Sequence, residues 1–253
     1  MTPGEPSVAG SPLSPPPPEP HSDSTAEPFW SYEDLFFILA ICVPALIAAF
    51  FVIKAIPGTA VFGMPFQELL TQLVWYALVF GSLTILLRFR YERPFWRSLG
   101  WKFPFGGITG ALVGGPLLAL AIALLGFALN APEIPMPFQQ MLRDKPTTML
   151  FAIFVVVLGP LSEELAFRGF LMPLLVRSLG AAWGVLTTGL LFGLMHAAEY
   201  HWSWRHVLLI VVAGTVFGWV RYRSGSTTAS IFMHSTYNLT QFAAFVVQAS
   251  AFR

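Results

Sequence analysis

Residues 159–171 read GPLSEELAFRGFL and follow TMLFAIFVVVL, an apolar run over residues 148–158 that carries no charge. Two adjacent glutamates, Glu163 and Glu164, and then Arg168 thus stand at the end of a segment greasy enough to enter a lipid bilayer. An acid at the centre of a spanning helix costs roughly 2.5–3.5 kcal/mol on insertion scales, so these charges need a compensating role. On a helix Glu164 and Arg168, four residues apart, share a face and can pair, whereas Glu163 is turned about 100° away. One glutamate can be neutralised while the other stays available.

The rest of the chain is equally apolar. Of its 253 residues 55% are hydrophobic and 11% charged, with a mean hydropathy of +0.67; an ordinary soluble domain has about 25% charged residues. This is the composition of a membrane protein. Apolar runs at approximately 35–53, 66–87, 107–129, 148–175, 182–199, 206–222 and 228–250 predict an all-α polytopic bundle of about seven spans, each needing roughly 20 apolar residues. A net charge of +1 excludes the basic excess of a nucleic-acid binder. Cys42 is the single cysteine, so no intrachain disulfide framework and no cysteine-based zinc site can form.

Residues 1–28 are rich in Pro, Ser and Glu and hold no Lys or Arg. They predict a disordered tail, and without a basic n-region the first apolar segment is expected to be retained as a membrane anchor. Residues 29–253 then make one transmembrane domain, its motif core at about 148–245. Arg88, Arg90, Arg93, Arg97 and Lys102 crowd the connection after the second span, while only Lys54 follows the first. The excess of positive charge predicts a cytoplasmic N-terminus and an external C-terminus.

Small residues recur at four-residue spacing at Gly106, Gly110 and Gly114, at Gly189 and Gly193, and at Gly214 and Gly218; on helices in lipid such stripes allow close packing. Pro160 predicts a loosened helix just before the glutamates, with freed backbone groups that need partners inside the protein. Two more polar clusters fall in predicted spans: His196 in FGLMH, and His234 with Asn238 in HSTYN. A lone intramembrane His or Asn is commonly an interhelical hydrogen-bonding residue, and Glu164 with Arg168 reads equally as a structural ion pair. Three helices each delivering groups suited to hold and activate water point beyond that. The rival is a proton-coupled carrier, which also uses buried acids and histidines, although the chain shows no internal repeat. Glu199, His201 and His206, among tryptophans in EYHWSWRH, read as an interfacial belt.

GPLSEELAFRGFL, FGLMH and HSTYN, in that order on successive apolar segments, resemble the motifs of the CPBP family of intramembrane proteases, which includes the CAAX prenyl endopeptidases and relatives linked to bacteriocin processing or immunity. The resemblance covers about residues 95–245, with WRSLGW before the third span. It implies a helical membrane endopeptidase, expected in a bacterial inner membrane with its site open towards the cytoplasm. It also implies Glu163 as catalytic acid/base, Glu164 as its neighbour, Arg168 as orienting cation, and His196, His234 and Asn238 as the remaining polar shell. In that reading Glu163 and His196 activate water while Asn238 and His234 stabilise the oxyanion. A second mechanism places a divalent zinc ion on His196, His234 and Glu163; the absence of an HExxH helix leans towards the metal-free form. The expected partners are membrane lipid and a membrane-associated protein or peptide, prenylated or not, cut near its C-terminus. A carrier, or a scaffold or immunity protein that has kept the fold, stays open as an alternative.

Overall fold

A computed structural model describes residues 28–104, 107–134 and 145–251. The Pro-rich tail, Gly106, Arg143 and Arg253 lie outside them. The described residues form helices and turns with no strand. Two long helices, α1 (Tyr32–Ala55) and α2 (Met64–Tyr91), make an N-terminal hairpin around a 3₁₀ turn at Thr59–Phe62. A short α3 (Phe95–Ser98) leads to α4 (Ile108–Ala128). Next comes a segmented rod: α5 (Lys145–Ile153), a π turn at Phe154–Leu158, α6 (Gly159–Glu164), a second π turn at Leu165–Leu171 and α7 (Met172–Leu179). Then follow α8 (Ala181–Met195), α9 (Trp204–Ser224) and α10 (Thr227–Ala251).

Five of these stretches are long and apolar enough to cross a membrane: Tyr32–Ala55, Met64–Tyr91, Ile108–Ala128, Thr147–Leu179 and Trp204–Ser224. The chain is an integral membrane protein. The other two expected spans survive as helices of different character. α10 has 25 residues but carries the polar HSTYN stretch. α8 has only 15, about 22 Å at 1.5 Å per residue against a hydrocarbon core of about 30 Å. The predicted span 182–199 is thus shorter than expected: the helix ends at Met195, and His196–Ser203 form a turn in which His201 and Trp202 adopt positive φ. The lipid-facing flanks are greasy, with Phe36, Phe37, Val43, Phe51, Leu117 and Leu120 all exposed.

The contacts explain how polar residues at the head of the second predicted span are tolerated. Lys54 donates to Gln67 Oε1 at 3.1 Å, and Gln67 donates to Thr59 Oγ1 at 3.1 Å, so these groups face the hairpin turn. At the opposite end Asp34, fully buried, accepts from the Ser31 backbone N–H at 2.8 Å and from the Tyr91 hydroxyl at 2.5 Å, and its other oxygen forms an ion pair with Arg90 at 3.0 Å. That cluster fastens the start of α1 to the end of α2.

Helix α8 packs on α9 and α10 on α4, in each case with small residues at the closest approach. The tightest is Gly115, next to the predicted stripe. A Cβ there would lie 2.6 Å from the backbone nitrogen of Tyr237, whereas one on Gly110 would meet nothing within 4 Å. Gly115→Ala should therefore destabilise the protein by about 1–3 kcal/mol through overpacking. Gly110→Ala should be neutral or stabilise by about 0.5–1 kcal/mol. Unfolding curves of both variants in detergent check the contrast.

Candidate active site

The two π turns shape the site. Each is followed by a proline, Pro160 and Pro173, near the start of the next helical piece. In the first turn the register is i to i−5, since the Gly159 N–H bonds to Phe154 O. One residue on, that register would need a Pro160 N–H for the Val155 carbonyl, and proline has none. The Asn238 side chain of α10 takes its place, its Nδ2 donating to Val155 O at 2.8 Å. The proline foreseen as a loosener thus creates an acceptor that the Asn238 amide fills.

The adjacent glutamates separate as helical geometry requires. Glu164 is fully buried and its Oε1 receives Arg168 Nη1 at 2.9 Å. Arg168, also fully buried, donates through Nη2 to Gly214 O at 2.6 Å and lies 4.5 Å from the Phe192 ring centroid and 5.6 Å from that of Phe217. Gly214 has to be small here, because a Cβ would come within 2.8 Å of Phe192 and 3.2 Å of Arg168. The same Glu164 oxygen lies 2.9 Å from His234 Nδ1. A carboxylate already paired with arginine only accepts, so Nδ1 carries the hydrogen and neutral His234 turns an acceptor, Nε2, the other way. That nitrogen lies 3.8 Å from Glu163 Oε2, too far for a direct hydrogen bond and suited to one bridging group. The Glu163 side chain keeps 21% of its area exposed, against none for Glu164.

His196 caps α8, and its Nδ1 lies 2.8 Å from the Phe192 carbonyl. A carbonyl only accepts, so Nδ1–H is the donor and Nε2 is free to act as a base. The Phe192 ring stands between the two histidines, 4.6 Å from His196 and 5.9 Å from His234, while His234 stacks on Phe217 at 4.5 Å. The six candidate residues are thus supplied by α6 (Glu163, Glu164), the second π turn (Arg168), the end of α8 (His196) and α10 (His234, Asn238).

Two features were not foreseen. Glu199, read above as part of an interfacial belt, interacts electrostatically with both His196 and Glu163. Crowding by apolar neighbours pushes its pKa up; Glu163 adds to that and His196 opposes it. Next to it burial, with help from Glu199 and Tyr237, pushes Tyr200 up to about 12. The signal available in the sequence was the spacing HAAE, which returns an acid beside His196 once the helix ends. The second feature is Tyr76 of α2. It stacks on Phe154 at 5.9 Å and interacts electrostatically with Glu163 and Glu199; no motif marked it.

Among the described residues no group of three His, Cys, Asp or Glu side chains converges as a metal-ligating set. Glu163 and His234 come together, but His196 does not join them as a third ligand, so the side chains as placed do not fit the zinc alternative.

Residues 145–240 match the model of a family described as type II CAAX prenyl endopeptidase Rce1-like. The matched segment holds every candidate residue, and it agrees with the CPBP resemblance of the three motifs. Neither a curated protein nor a solved structure matches the chain.

Two outcomes follow from the buried charges. Removing one partner of a buried pair commonly costs about 3–5 kcal/mol, so Arg168→Met should destabilise the protein strongly. Glu164→Leu with Arg168→Met should recover most of that loss, as detergent unfolding of the single and double variants would show. For Glu199 the folded-state pKa is raised, so its stabilising contribution is present below the unfolded value of about 4.3 and is lost as pH rises through the folded value. The melting temperature of Glu199→Gln relative to wild type should therefore increase as pH rises from about 4 towards 7.

Proposed function

Given that residues 145–240 carry the signature of a family of CAAX-type intramembrane endopeptidases, we propose that this chain hydrolyses a peptide bond near the C-terminus of a membrane-associated protein or peptide, with Glu163 activating the attacking water. The observation that carries this reading is the division of labour between neighbouring glutamates. Glu164 is held by Arg168 and His234 at 2.9 Å each, while Glu163, partly open, faces His234 Nε2 at 3.8 Å.

In this mechanism a water bridges Glu163 Oε2 and His234 Nε2. As its oxygen attacks the scissile carbonyl, its proton passes to Glu163, which then delivers it to the leaving amine as the C–N bond breaks. Glu164 keeps the His234 tautomer and ring orientation, and Arg168 keeps Glu164 ionised and fixed. His196, with Nε2 free, is a second base at the same face. Asn238 holds the Val155 carbonyl with one hydrogen of its amide, and the second can reach a developing oxyanion. The basic connection after α2 supports an orientation with the site open to the cytoplasm, and the CPBP resemblance supports a bacterial inner membrane. A prenyl group would partition into the lipid beside the helices, which favours a prenylated substrate without requiring one.

The test is cleavage of prenylated and unprenylated peptides by protein purified in detergent, with and without a chelator. Glu163→Gln should lower kcat by about 10²–10⁴-fold, with His234→Ala impaired comparably, and the chelator should leave the wild-type rate unchanged. Wild-type kinetics in Glu163→Gln would sink the mechanism. Loss of activity on chelation, restored by zinc, would replace it with a metal-dependent one.

A further inference from the structure

The groups assigned so far are rich in acceptors and short of donors. Glu163 accepts in its ionised form. Neutral His234 and His196 each present Nε2 as an acceptor, because each Nδ1–H is spent, on Glu164 and on the Phe192 carbonyl. Asn238 has already committed one donor to Val155 O. Hydrolysis of an amide develops negative charge on the carbonyl oxygen, and donors aimed at that oxygen commonly supply the largest single part of the acceleration.

Tyr76 meets this need from outside the matched segment. Its hydroxyl oxygen accepts from Gln72 Nε2, one turn earlier on α2, at 2.9 Å. A phenol that accepts through its oxygen still has its O–H to give. Its ring is held almost parallel to Phe154, 5.9 Å away at 11°, and Phe154 opens the π turn that contains Val155. The hydroxyl interacts electrostatically with Glu163 and Glu199 but has its hydrogen bond with Gln72 and not with either acid. A Cβ on Gly159 would lie 3.7 Å from Glu163 Oε1 and 4.0 Å from the Phe154 ring, so the ring on which Tyr76 stacks borders the Glu163 carboxylate. Tyr237, another phenol of this region, likewise accepts from a glutamine, Gln241 at 3.1 Å, but its ring packs on Phe217 of α9, 5.6 Å away, and not on the π turn.

We propose that Tyr76, oriented by Gln72 and Phe154, is a further catalytic residue that donates a hydrogen bond to the scissile carbonyl oxygen as charge develops on it. This rests on the peptidase reading above. No bond is made or broken at Tyr76: the phenol keeps its proton throughout, while the water proton travels by way of Glu163 to the leaving amine. The donor comes from α2, so the N-terminal hairpin completes a site whose bases all lie between residues 163 and 238.

Tyr76→Phe removes only the hydroxyl and keeps the ring that stacks on Phe154. With the peptide that wild type cleaves, kcat should fall on the order of 10²-fold while KM stays within about twofold, because the bond strengthens in the transition state. Gln72→Leu, which keeps the phenol but removes its anchor, should lower kcat by a smaller factor, about tenfold. Both variants should melt as wild type does. Unchanged kcat in Tyr76→Phe, with Glu163→Gln inactive, overturns the role of Tyr76 and leaves the peptidase reading standing; wild-type kinetics in both variants overturn the two together. A raised KM at constant kcat also overturns the proposal, since it would make Tyr76 a substrate-binding group only.

Discussion

The buried pair between Glu164 and Arg168 is the constraint around which the rest is arranged. Two unit charges with no exposed area sit 2.9 Å apart, and burying them is costly unless their remaining hydrogen-bonding capacity is met. The neighbours meet part of it, although Glu164 Oε2 and Arg168 Nε keep no hydrogen-bond partner among the described residues. The Gly214 carbonyl takes a second guanidinium nitrogen, the rings of Phe192 and Phe217 lie within 4.5 and 5.6 Å of the cation, and His234 shares the carboxylate. The four partners come from three helices: α8 through Phe192, α9 through Gly214 and Phe217, α10 through His234. One ion pair thereby fixes the mutual position of three helices and of the imidazole that faces Glu163. Conformational specificity rather than net stabilisation is the natural use of such a pair.

The same logic explains why the helix that carries the pair is irregular. A regular α-helix satisfies its own carbonyls and offers none to its neighbours. Here the π turn at Phe154–Leu158 and the missing Pro160 N–H leave Val155 O to be met from α10, so Asn238 becomes part of the backbone's accounting as well as part of the polar shell. Non-helical backbone at membrane depth is tolerated where it is buried in protein or lines a cavity. The turn at His196–Ser203 is of another kind, largely exposed at Ala198, Glu199, His201 and Trp202; it ends α8 after 15 residues and brings Glu199 back towards His196.

How much of this was legible follows from the range of the interactions. Local spacing carried the Glu164–Arg168 pair, the rotation of Glu163 away from it, and the irregularity at Pro160, because each depends on neighbours within two helical turns. Hydropathy carried the long helices but overextended α8: the predicted span takes in HAAE, of which only the two alanines are apolar, whereas the helix ends at Met195 and a turn with positive φ at His201 and Trp202 follows. The link of Glu199 to His196 and Glu163 was hidden for that reason. Tyr76 was invisible for a different one: its significance lies in Phe154 and Glu163, 78 and 87 positions later in the sequence, and a tyrosine on an apolar helix has no local feature to distinguish it from packing. The glycine stripes were half informative. They identified the faces of α8 and α9 that meet, yet on α4 the close approach falls on Gly115 and not on Gly110, because a stripe in sequence does not say which of its members a neighbouring backbone crosses.

Placing acids on one rod and bases on two others has a consequence for catalysis. Glu163 and Glu164 share a helical piece, so their relative orientation is set by 100° of helical rotation and cannot drift. His234 is tied to Glu164 across the helix interface, and its Nε2 therefore holds its place relative to Glu163 for as long as the buried pair stays intact. A pair of polar groups built on a loop would have to be ordered by a ligand; Glu163 and His234 are ordered by the cost of breaking a buried charge pair. Substitutions at Arg168 should therefore reach Glu163 through His234 without any contact with substrate, and they belong with the positioning of the base rather than with its chemistry.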